Sequence, residues 1–535
     1  MRLLFVSLTL FASACTTTPD DPNEQMLADL ASEDAKVRVA AAEGLRKVSL
    51  QLRKMEGARE KVLTSFAGDG SHRGTLAMVM GRAFGEEIVP ELLKGLRIEG
   101  LVPVTSSEKE ANNANRSIGT ALQELAINHG IKLGDGVSES VARYANSGDI
   151  QTALTFIELL GLTGSKRGTG DLLEMIADSD NNFIVKNCVI ALGNIRDPAA
   201  LDTLIEHMFR ERMGVSFYAE ASFALFQHGG VEGLQAKLET AFAGKNEKVN
   251  DMMKGSKACQ DAKGVCYIIQ AKVAEVMSDV GLSDAQVVSL NKIALSKGAN
   301  QQLVTKIIEA LGRTGSAKAV PEIMKHKSNL TVREFVGRSI ARIGDRKAAL
   351  ALAKQGSHRS FLADAKKMGY GAEAASKSEL EIRRFTLENA SRAGDDKVTK
   401  EIEAQIKAEK VPKIRAMMEQ QLKRSTVYDK CKADMGCYRK LLYSDEPMIR
   451  EKAAYEIAYA RDEGSIGELV KSIHSSVDNT NESRFAKFWA LWQIGPQKGK
   501  KYLKRLSKMA EVDKKNQDYV RIAAEVERLV DRMRR

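Results

Sequence analysis

The chain has 535 residues, of which 28% are charged and only 5% are aromatic, with 9 prolines. Ala, Leu, Lys and Glu are abundant, and these residues are strong helix formers. No segment shows several alternating β-branched strands bounded by turns, so we expect an all-α protein. The formal net charge is +11, a balance that often indicates nucleic acid as the partner.

The N-terminus has the three parts of a secretory signal. A positively charged start is followed by an apolar run at 3–11 and by Ala-Ser-Ala-Cys at 12–15. The run is about half as long as a membrane-spanning helix. The segment 12–15 resembles a bacterial lipobox, whose cysteine receives a diacylglycerol before cleavage. The resemblance implies a signal peptide at 1–14 and an acylated, membrane-anchoring Cys15. An ordinary cleavable signal with an incidental cysteine is the alternative.

The segment after the cysteine predicts a tether and a location. Residues 15–25 are polar and contain two prolines, which is typical of a flexible linker. Thr16 follows Cys15, and in enteric lipoproteins a residue other than Asp there favours the outer membrane. We therefore expect a bacterial cell-envelope protein whose charge falls to +10 when Arg2 leaves with the signal. Export excludes nucleic acid, so a protein or an anionic envelope component is the expected partner.

A recurring phrase marks the ends of helices. An apolar segment ends at a glycine, and Asp or Ser follows to begin the next helix. Glycine suits the left-handed residue that closes a helix, and Asp or Ser suits the N-cap. Five of the eight intervals between successive turns are 29–34 residues, about two helices and their turns. The glycines assigned to these turns are Gly164, Gly315, Gly344, Gly394 and Gly495.

A second phrase, Val-Arg or Ile-Arg followed by small residues, is predicted to open helices. Arg333 precedes its closing glycine by 11 residues, about three helical turns. The segments 34–45 and 519–524 resemble a HEAT repeat, whose second helix begins with Val-Arg and ends with Leu-Gly-x-x-Gly-Asp. The resemblance implies an α-solenoid of HEAT-like hairpins over 26–535. The arginines assigned to this phrase or its spacing are Arg38, Arg333, Arg383, Arg450, Arg484 and Arg521.

The arginines and the irregular segments each leave an alternative open. We expect the arginines to bond carboxylates or carbonyls of their own or a neighbouring repeat; an outward basic strip is the alternative. The segments 98–150 and 355–380 fit the repeat poorly, and 106–115 is expected to be a loop followed by irregular helices. One continuous solenoid is expected, with two packed sub-domains as the alternative.

Two pairs of cysteines predict local disulfides. Cys259 and Cys266, like Cys431 and Cys437, are close in sequence, have a glycine shortly before the second cysteine and a Tyr after it. A straight helix would hold each pair about 9–10.5 Å apart, too far for a bridge, whereas a turn at the glycine brings them together. An oxidising compartment then favours disulfides over metal binding or redox chemistry. Cys188 is expected to be a buried free thiol.

The sequence has no recognisable catalytic motif. Its seven histidines are scattered, and no phosphate-binding glycine loop or serine-hydrolase motif is present. We therefore expect a non-catalytic scaffold with no cofactor or metal; an enzyme or enzyme subunit acting on an envelope polymer is the alternative. Trp489 and Trp492 follow one apolar stripe of a helix. Core packing is the expected role of this stripe, and a partner-binding surface is the alternative.

Overall fold

A computed structural model describes residues 21–260, 264–296, 298–473, 480–495 and 530. The predicted all-α fold is confirmed, since the strands within these residues are two short ones, β1 (Glu211–Arg212) and β2 (Val215–Ser216), paired antiparallel. The chain divides into two compact units, the first ending at Arg196 and the second beginning at Asp197. Residues 1–14, Cys15 and Arg521 lie outside the described residues.

The first unit is a stack of helical hairpins. Each odd-numbered helix packs against the even-numbered helix that follows it, and α2, α4, α6, α8 and α10 stack side by side. Its helices are α1 (Pro22–Asp29), α2 (Ala35–Lys47), α3 (Ala58–Ala67), α4 (Arg73–Ala83), α5 (Val89–Lys94), α6 (Ser106–Asn128), α7 (Gly134–Ala145), α8 (Ile150–Thr163), α9 (Gly168–Asp178) and α10 (Asn182–Ile195).

Stacked antiparallel hairpins give this unit two edges. The turns inside each hairpin, such as 30–34 and 146–149, lie along what we call the intra-hairpin edge. The turns that lead to the next hairpin, such as 48–57 and 129–133, lie along the opposite, inter-hairpin edge. Contacts between neighbouring turns follow this arrangement: Asp69 pairs with Arg97 on the first edge, and Ser165 donates to Asp135 (2.6 Å) on the second.

Two sequence predictions for the first unit are wrong. The tether was predicted to extend to residue 25, but α1 begins at Pro22, because Asp21 caps the helix by accepting a hydrogen bond from Asn23 N and proline is favoured in the first turn. The loop predicted at 106–115 is the first part of the 23-residue α6. A reciprocal capping box between Thr105 and Glu108 starts this helix.

The second unit continues the pattern of paired helices with more irregular connections. Its helices are α11 (Leu201–His207), α12 (Tyr218–Gln227), α13 (Leu234–Phe242), α14 (Glu247–Lys254), α15 (Lys257–Gln260), α16 (Tyr267–Val280), α17 (Asp284–Ala294), α18 (Gln301–Arg313), α19 (Val320–Met324), α20 (Arg333–Ile343), α21 (Arg346–Gln355), α22 (His358–Lys367), α23 (Ala372–Ala393), α24 (Asp396–Ala408), α25 (Pro412–Cys431), α26 (Met435–Leu441), α27 (Pro447–Ala460), α28 (Ile466–Ile473) and α29 (Asn481–Ile494).

The last hairpins of the second unit fold back onto earlier ones. A simple solenoid contacts only its sequence neighbours, but α27 packs against α20 and α23 as well as α25. The hydroxyl of Tyr459 donates to the carbonyl of Ala341, and the indole Nε1 of Trp489 donates to the carbonyl of Arg342 (3.1 Å). These pairs are 118 and 147 residues apart in sequence. The stacking helices of this unit therefore pack against its own C-terminal hairpins.

Candidate functional surfaces and buried groups

Three of the six arginines assigned to the repeat bond the turn before their own helix. Arg38 donates to the carbonyls of Ser32 (2.7 Å) and Glu33 (2.8 Å). Arg450 donates to the carbonyls of residues 444 and 445. Arg333 donates to the carbonyl six residues earlier (2.8 Å) and to the carboxylate of Asp364. A shared geometry thus joins the two helices of a hairpin. Arg415 donates in the same way to the carbonyl six residues earlier. The sequence analysis did not assign this arginine, although it follows an isoleucine as the repeated phrase requires.

Arg383 does not open a helix as predicted. It lies in the middle of α23, because that helix begins eleven residues earlier, at Ala372. Its guanidinium donates to the carbonyl of Gly356 (2.8 Å) and pairs with Glu379 (2.6 Å) and Glu409 (2.7 Å). Arg484 lies within α29, and the segment 355–380 contains α22 and the start of α23.

The predicted turn glycines differ in conformation. Gly164 and Gly315 (φ 63°) and Gly344 (φ 82°) are left-handed, and Gly495 also has positive φ, 137°. Gly394 was predicted to be left-handed and is extended instead (φ −73°, ψ 157°). A side chain there would stand 2.7 Å from Val398, so close packing, and not backbone conformation, accounts for this glycine.

The two local cysteine pairs are each joined as disulfides. The Cα atoms are 5.2 Å apart for Cys259–Cys266 and 5.5 Å apart for Cys431–Cys437. Cys266 directly precedes α16 and Cys431 ends α25, so each bridge lies where the chain changes direction at a helix end. Cys188 is a buried free thiol, and burial raises its pKa to about 12, which leaves it unreactive.

Trp489 is not available as a partner surface. It is buried, stacks on Phe485 with ring centroids 6.3 Å apart, and bonds the carbonyl of Arg342. Trp492 is partly buried, with its ring 5.9 Å from that of Phe226. The aromatic stripe of α29 thus fills the core where the C-terminal hairpins fold back, and the partner-surface interpretation is wrong for Trp489.

A buried charge network joins the fold-back region, and sequence reasoning missed it. Arg346 makes a two-pronged pair with Glu456 (2.9 and 2.5 Å). Lys452 also pairs with Glu456 (2.6 Å) and donates to the carbonyls of Arg392 and Gly394 (both 2.8 Å). Burial lowers the pKa of Lys452 to about 8. Since its donors point to partners within the core, the ammonium has a structural role.

Arg392 extends the network to two further helices. It pairs with Glu451 of α27 (2.8 Å) and Glu388 of α23 (2.6 Å), and Arg424 of α25 also reaches Glu451 (3.1 Å). Replacing one member of such a network strands a buried charge, which costs more than breaking an exposed ion pair. The network therefore holds α27 against α21, α23 and α25.

One loop of the first unit exposes large apolar side chains. The connection between α5 and α6 has eleven residues, against three to five in the other intra-hairpin turns. We call residues 97–105 the docking loop. Ile98, Val102 and Val104 are 58%, 67% and 75% exposed. Contiguous exposed apolar patches often mark binding sites on soluble proteins, so this loop is a candidate binding surface.

The docking loop is firmly held. The buried amide of Asn115 bonds both the N–H (2.8 Å) and the carbonyl (2.7 Å) of Arg97. The carbonyl of Leu101 accepts from Gly148 N (2.7 Å) and from a serine hydroxyl (3.1 Å). The carboxylate of Glu108 accepts from two backbone amides at the end of the loop, which lowers its pKa. The apolar side chains are thus presented on a preformed backbone.

A cleft of about 760 Å³ lies between α1 and α3 and contains a Ser–His pair. Ser65 Oγ is 3.1 Å from His72 Nε2. Burial lowers the pKa of His72, and the charges of Arg38 and Arg73 lower it further. A catalytic base is normally oriented by a carboxylate, whereas the charged groups that act on this histidine are cations. The arrangement therefore favours a structural histidine.

The described residues contain no cluster of metal-binding side chains. Within the same residues, no helix is both long and apolar enough to cross a membrane.

Comparison with known proteins identifies the repeat. Residues 185–209, which include most of α10 and all of α11, match the family model of the PBS lyase HEAT-like repeat. No curated protein sequence matches the chain. Together with the stacked hairpins, the family match confirms a HEAT-like α-solenoid.

Solved structures of helical-repeat proteins are similar to this chain at low identity. One is importin beta, at 10% identity and a TM-score of 0.44, covering 96% of this chain and 67% of that one. Another is Kap95p, from a structure in which its binding induces the switch loops of RanGDP to adopt the GTP-bound conformation. It has 10% identity and a TM-score of 0.44, and the match covers 95% of this chain and 76% of that one.

Proposed function

We propose that this HEAT-like solenoid is a non-catalytic scaffold that is anchored by lipid at Cys15 in the bacterial envelope and binds a protein partner through its docking loop. The observation that carries the binding role is the preformed loop 97–105 with its three exposed aliphatic side chains. A rigid apolar site pays little ordering entropy on binding. The lipobox-like segment 12–15 supports the anchor, and the outer membrane is the proposed location.

The charges around the docking loop define the partner's chemistry. Glu99 and Glu110 are exposed at its sides with Lys109 between them in sequence, and the exposed carboxylate of Asp69 pairs with Arg97. An apolar patch with a rim of both charges complements a protein surface with an apolar centre and a polar rim. An anionic polymer offers no apolar surface to the exposed aliphatic side chains, so a protein is the better fit for this edge.

The second unit favours a different ligand class. Residues 21–196 carry 20 lysines and arginines against 24 aspartates and glutamates, a net charge of −4, whereas residues 197–535 carry 60 against 45, a net charge of +15. The positive charge of the protein therefore belongs to the second unit. An anionic envelope component is the second candidate ligand, and it would bind there with strong salt dependence.

Photo-crosslinking in intact cells tests the docking role. A photoreactive residue is placed at Val102 or, as the control, at Ile127, an equally apolar and exposed position on the inter-hairpin edge. We expect a discrete protein adduct from position 102, no such adduct from 127, and loss of the first when Val104→Asp is added. Equal adducts from both positions, or none from 102, would contradict the proposal.

An enzyme acting on an envelope polymer remains the alternative, and the Ser65–His72 pair is where it would be tested. The scaffold proposal expects His72→Ala to leave the cellular function of the protein intact. Loss of that function in a folded H72A protein, with polymer turnover by the wild type, would favour the enzyme.

A further inference from the structure

The end of α2 and the first part of the connection to α3 combine four cations with an exposed leucine. Residues 46–54 read Arg-Lys-Val-Ser-Leu-Gln-Leu-Arg-Lys and contain no acidic residue. Arg46, Lys47, Arg53 and Lys54 are exposed, and Leu50 is 68% exposed. We call this segment the basic turn. The first unit has a net charge of −4, so the positive charge of the basic turn is a local concentration and does not follow from the composition of the unit.

The fold imposes the exposure of Leu50. Leu52 and Ser49 on either side of it are buried. Arg53 donates to the carbonyls of Ala83 (2.7 Å) and Arg82 (2.9 Å) at the end of α4, which fixes the turn against the next hairpin. Burying the Leu50 side chain would therefore require these contacts to break, and Leu50 remains exposed between the cations.

The basic turn lies beside the point where the N-terminal segment joins the folded unit. The side chain of Asn23, at the start of α1, donates to the side chain of Gln51 (3.4 Å). Six residues, 16–21, separate Cys15 from the first residue of α1. Six residues span at most about 21 Å. An acylated Cys15 would therefore hold this edge of the unit within that distance of a bilayer.

Further features of the inter-hairpin edge fit a lipid surface. The basic turn and the end of α6 border a cleft of about 550 Å³ that is also lined by His129 and by Arg82, which pairs with Glu124 (3.1 Å). Lys132 and Lys166 are exposed in two further turns of this edge, while the turn between α4 and α5 exposes Glu86 and Glu87. The docking loop is on the opposite edge.

We infer that the basic turn rests on an anionic phospholipid surface, with Lys47 and Lys54 at the lipid phosphates and Leu50 at the boundary of the acyl chains. Polybasic segments and partly inserted apolar side chains are the two components of interfacial binding, and both strengthen a lipid anchor. This inference rests on the proposed lipidation of Cys15. It orients the first unit so that the docking loop faces away from the membrane.

Vesicle binding tests the inference on the mature chain with Cys15→Ser, which removes the anchor from the measurement. The variant is Lys47→Ser, Leu50→Ser, Lys54→Ser. The matched control, Lys36→Ser, Val104→Ser, Lys109→Ser, removes the same charge and one aliphatic side chain from the intra-hairpin edge, where all three residues are exposed. Both variants keep the charge of the second unit, so its contribution to vesicle binding cancels.

On vesicles of phosphatidylglycerol and phosphatidylethanolamine at low salt, we expect the basic-turn variant to bind at least about tenfold more weakly than the wild type. The control variant should bind within about twofold of the wild type. Circular dichroism checks that both remain folded. Equal binding of the two variants would overturn the inference.

Depth of insertion provides a second measurement that does not depend on natural lipidation. A maleimide lipid is coupled to Cys15, and an environment-sensitive fluorophore is attached by azide–alkyne coupling to an azido amino acid incorporated in place of Leu50 or Val104. We expect the probe at 50 to shift to the blue and to be quenched by brominated lipid, and the probe at 104 to remain water-like. A water-like probe at 50 would refute the membrane contact even if Cys15 proves to be acylated in cells.

Discussion

Replacing Arg333 with Met is expected to destabilise the second unit by about 3–5 kcal/mol, because it leaves a buried carboxylate without its cation. Arg333 is buried, donates to the carbonyl of Lys327 (2.8 Å) and pairs with Asp364. The hydrogen bond from a charged group contributes about 1.5–3 kcal/mol of this. The unpaired Asp364 accounts for the rest.

The matched control lies on the same helix. Arg338 pairs with Glu334 one turn away and is partly exposed, so Arg338→Met should change the free energy of unfolding by no more than about 1 kcal/mol. Urea unfolding followed by tryptophan fluorescence reports on this unit, since both tryptophans are in α29. Adding Asp364→Leu to Arg333→Met should recover at least about 1 kcal/mol. An effect of Arg333→Met no larger than that of Arg338→Met would refute the structural role of the arginine.

Three further predictions concern the second unit. Trp489→Ala should lower the free energy of unfolding by about 3–5 kcal/mol by circular dichroism; a loss below 1 kcal/mol would mean that the indole is not in the core. Replacing both Cys431 and Cys437 with Ala should cost about 2 kcal/mol, since their bridge closes a short loop, and an unchanged melting temperature would argue against it. Burial lowers the pKa of Lys452 to about 8, below its unfolded value, so the unfolded state holds more protons and stability should rise from about pH 8 to 10. Lys452→Met should flatten this rise of stability with pH. If the rise persists in the variant, another titrating group causes it.

Local features of the hairpins were accessible from the sequence. A glycine that closes a helix, such as Gly344, and an arginine that bonds the preceding turn, such as Arg38, act over fewer than a dozen residues. Repetition of these short-range signals indicates paired helices even where single copies are degenerate. The all-α solenoid could therefore be predicted without knowing any contact between distant hairpins.

The fold-back of the C-terminal hairpins could not be predicted in this way. Arg346 and Glu456 are 110 residues apart, and Arg392 and Glu451 are 59 apart. Charged residues on a helix are usually solvated, so nothing in the local pattern separates these buried pairs from surface ones. For the same reason the sequence left both alternatives open for Trp489.

In the sequence, the two candidate surfaces are recognisable only as interruptions of the helical repeat. The docking loop interrupts the repeat within 98–150, and its aliphatic residues follow neither helical nor strand periodicity. The sequence predicts a loop at the start of α6 because the first ten residues of this helix are almost all polar. The capping box of Thr105 and Glu108 is the signal that indicates a helix there. The basic turn carries a recognisable Arg-Lys pair at each end, but its position beside α1 requires the fold.

The proposed orientation of both surfaces depends on the proposed lipid anchor at Cys15, so the mass of the mature N-terminus is the most direct test of the account. The protein is isolated from membranes of its own cells, and its N-terminal peptide is analysed by mass spectrometry. The account predicts a chain that begins at Cys15 and carries a thioether-linked diacylglycerol. A mature chain with an unmodified Cys15, or one that retains residues 1–14, would contradict it.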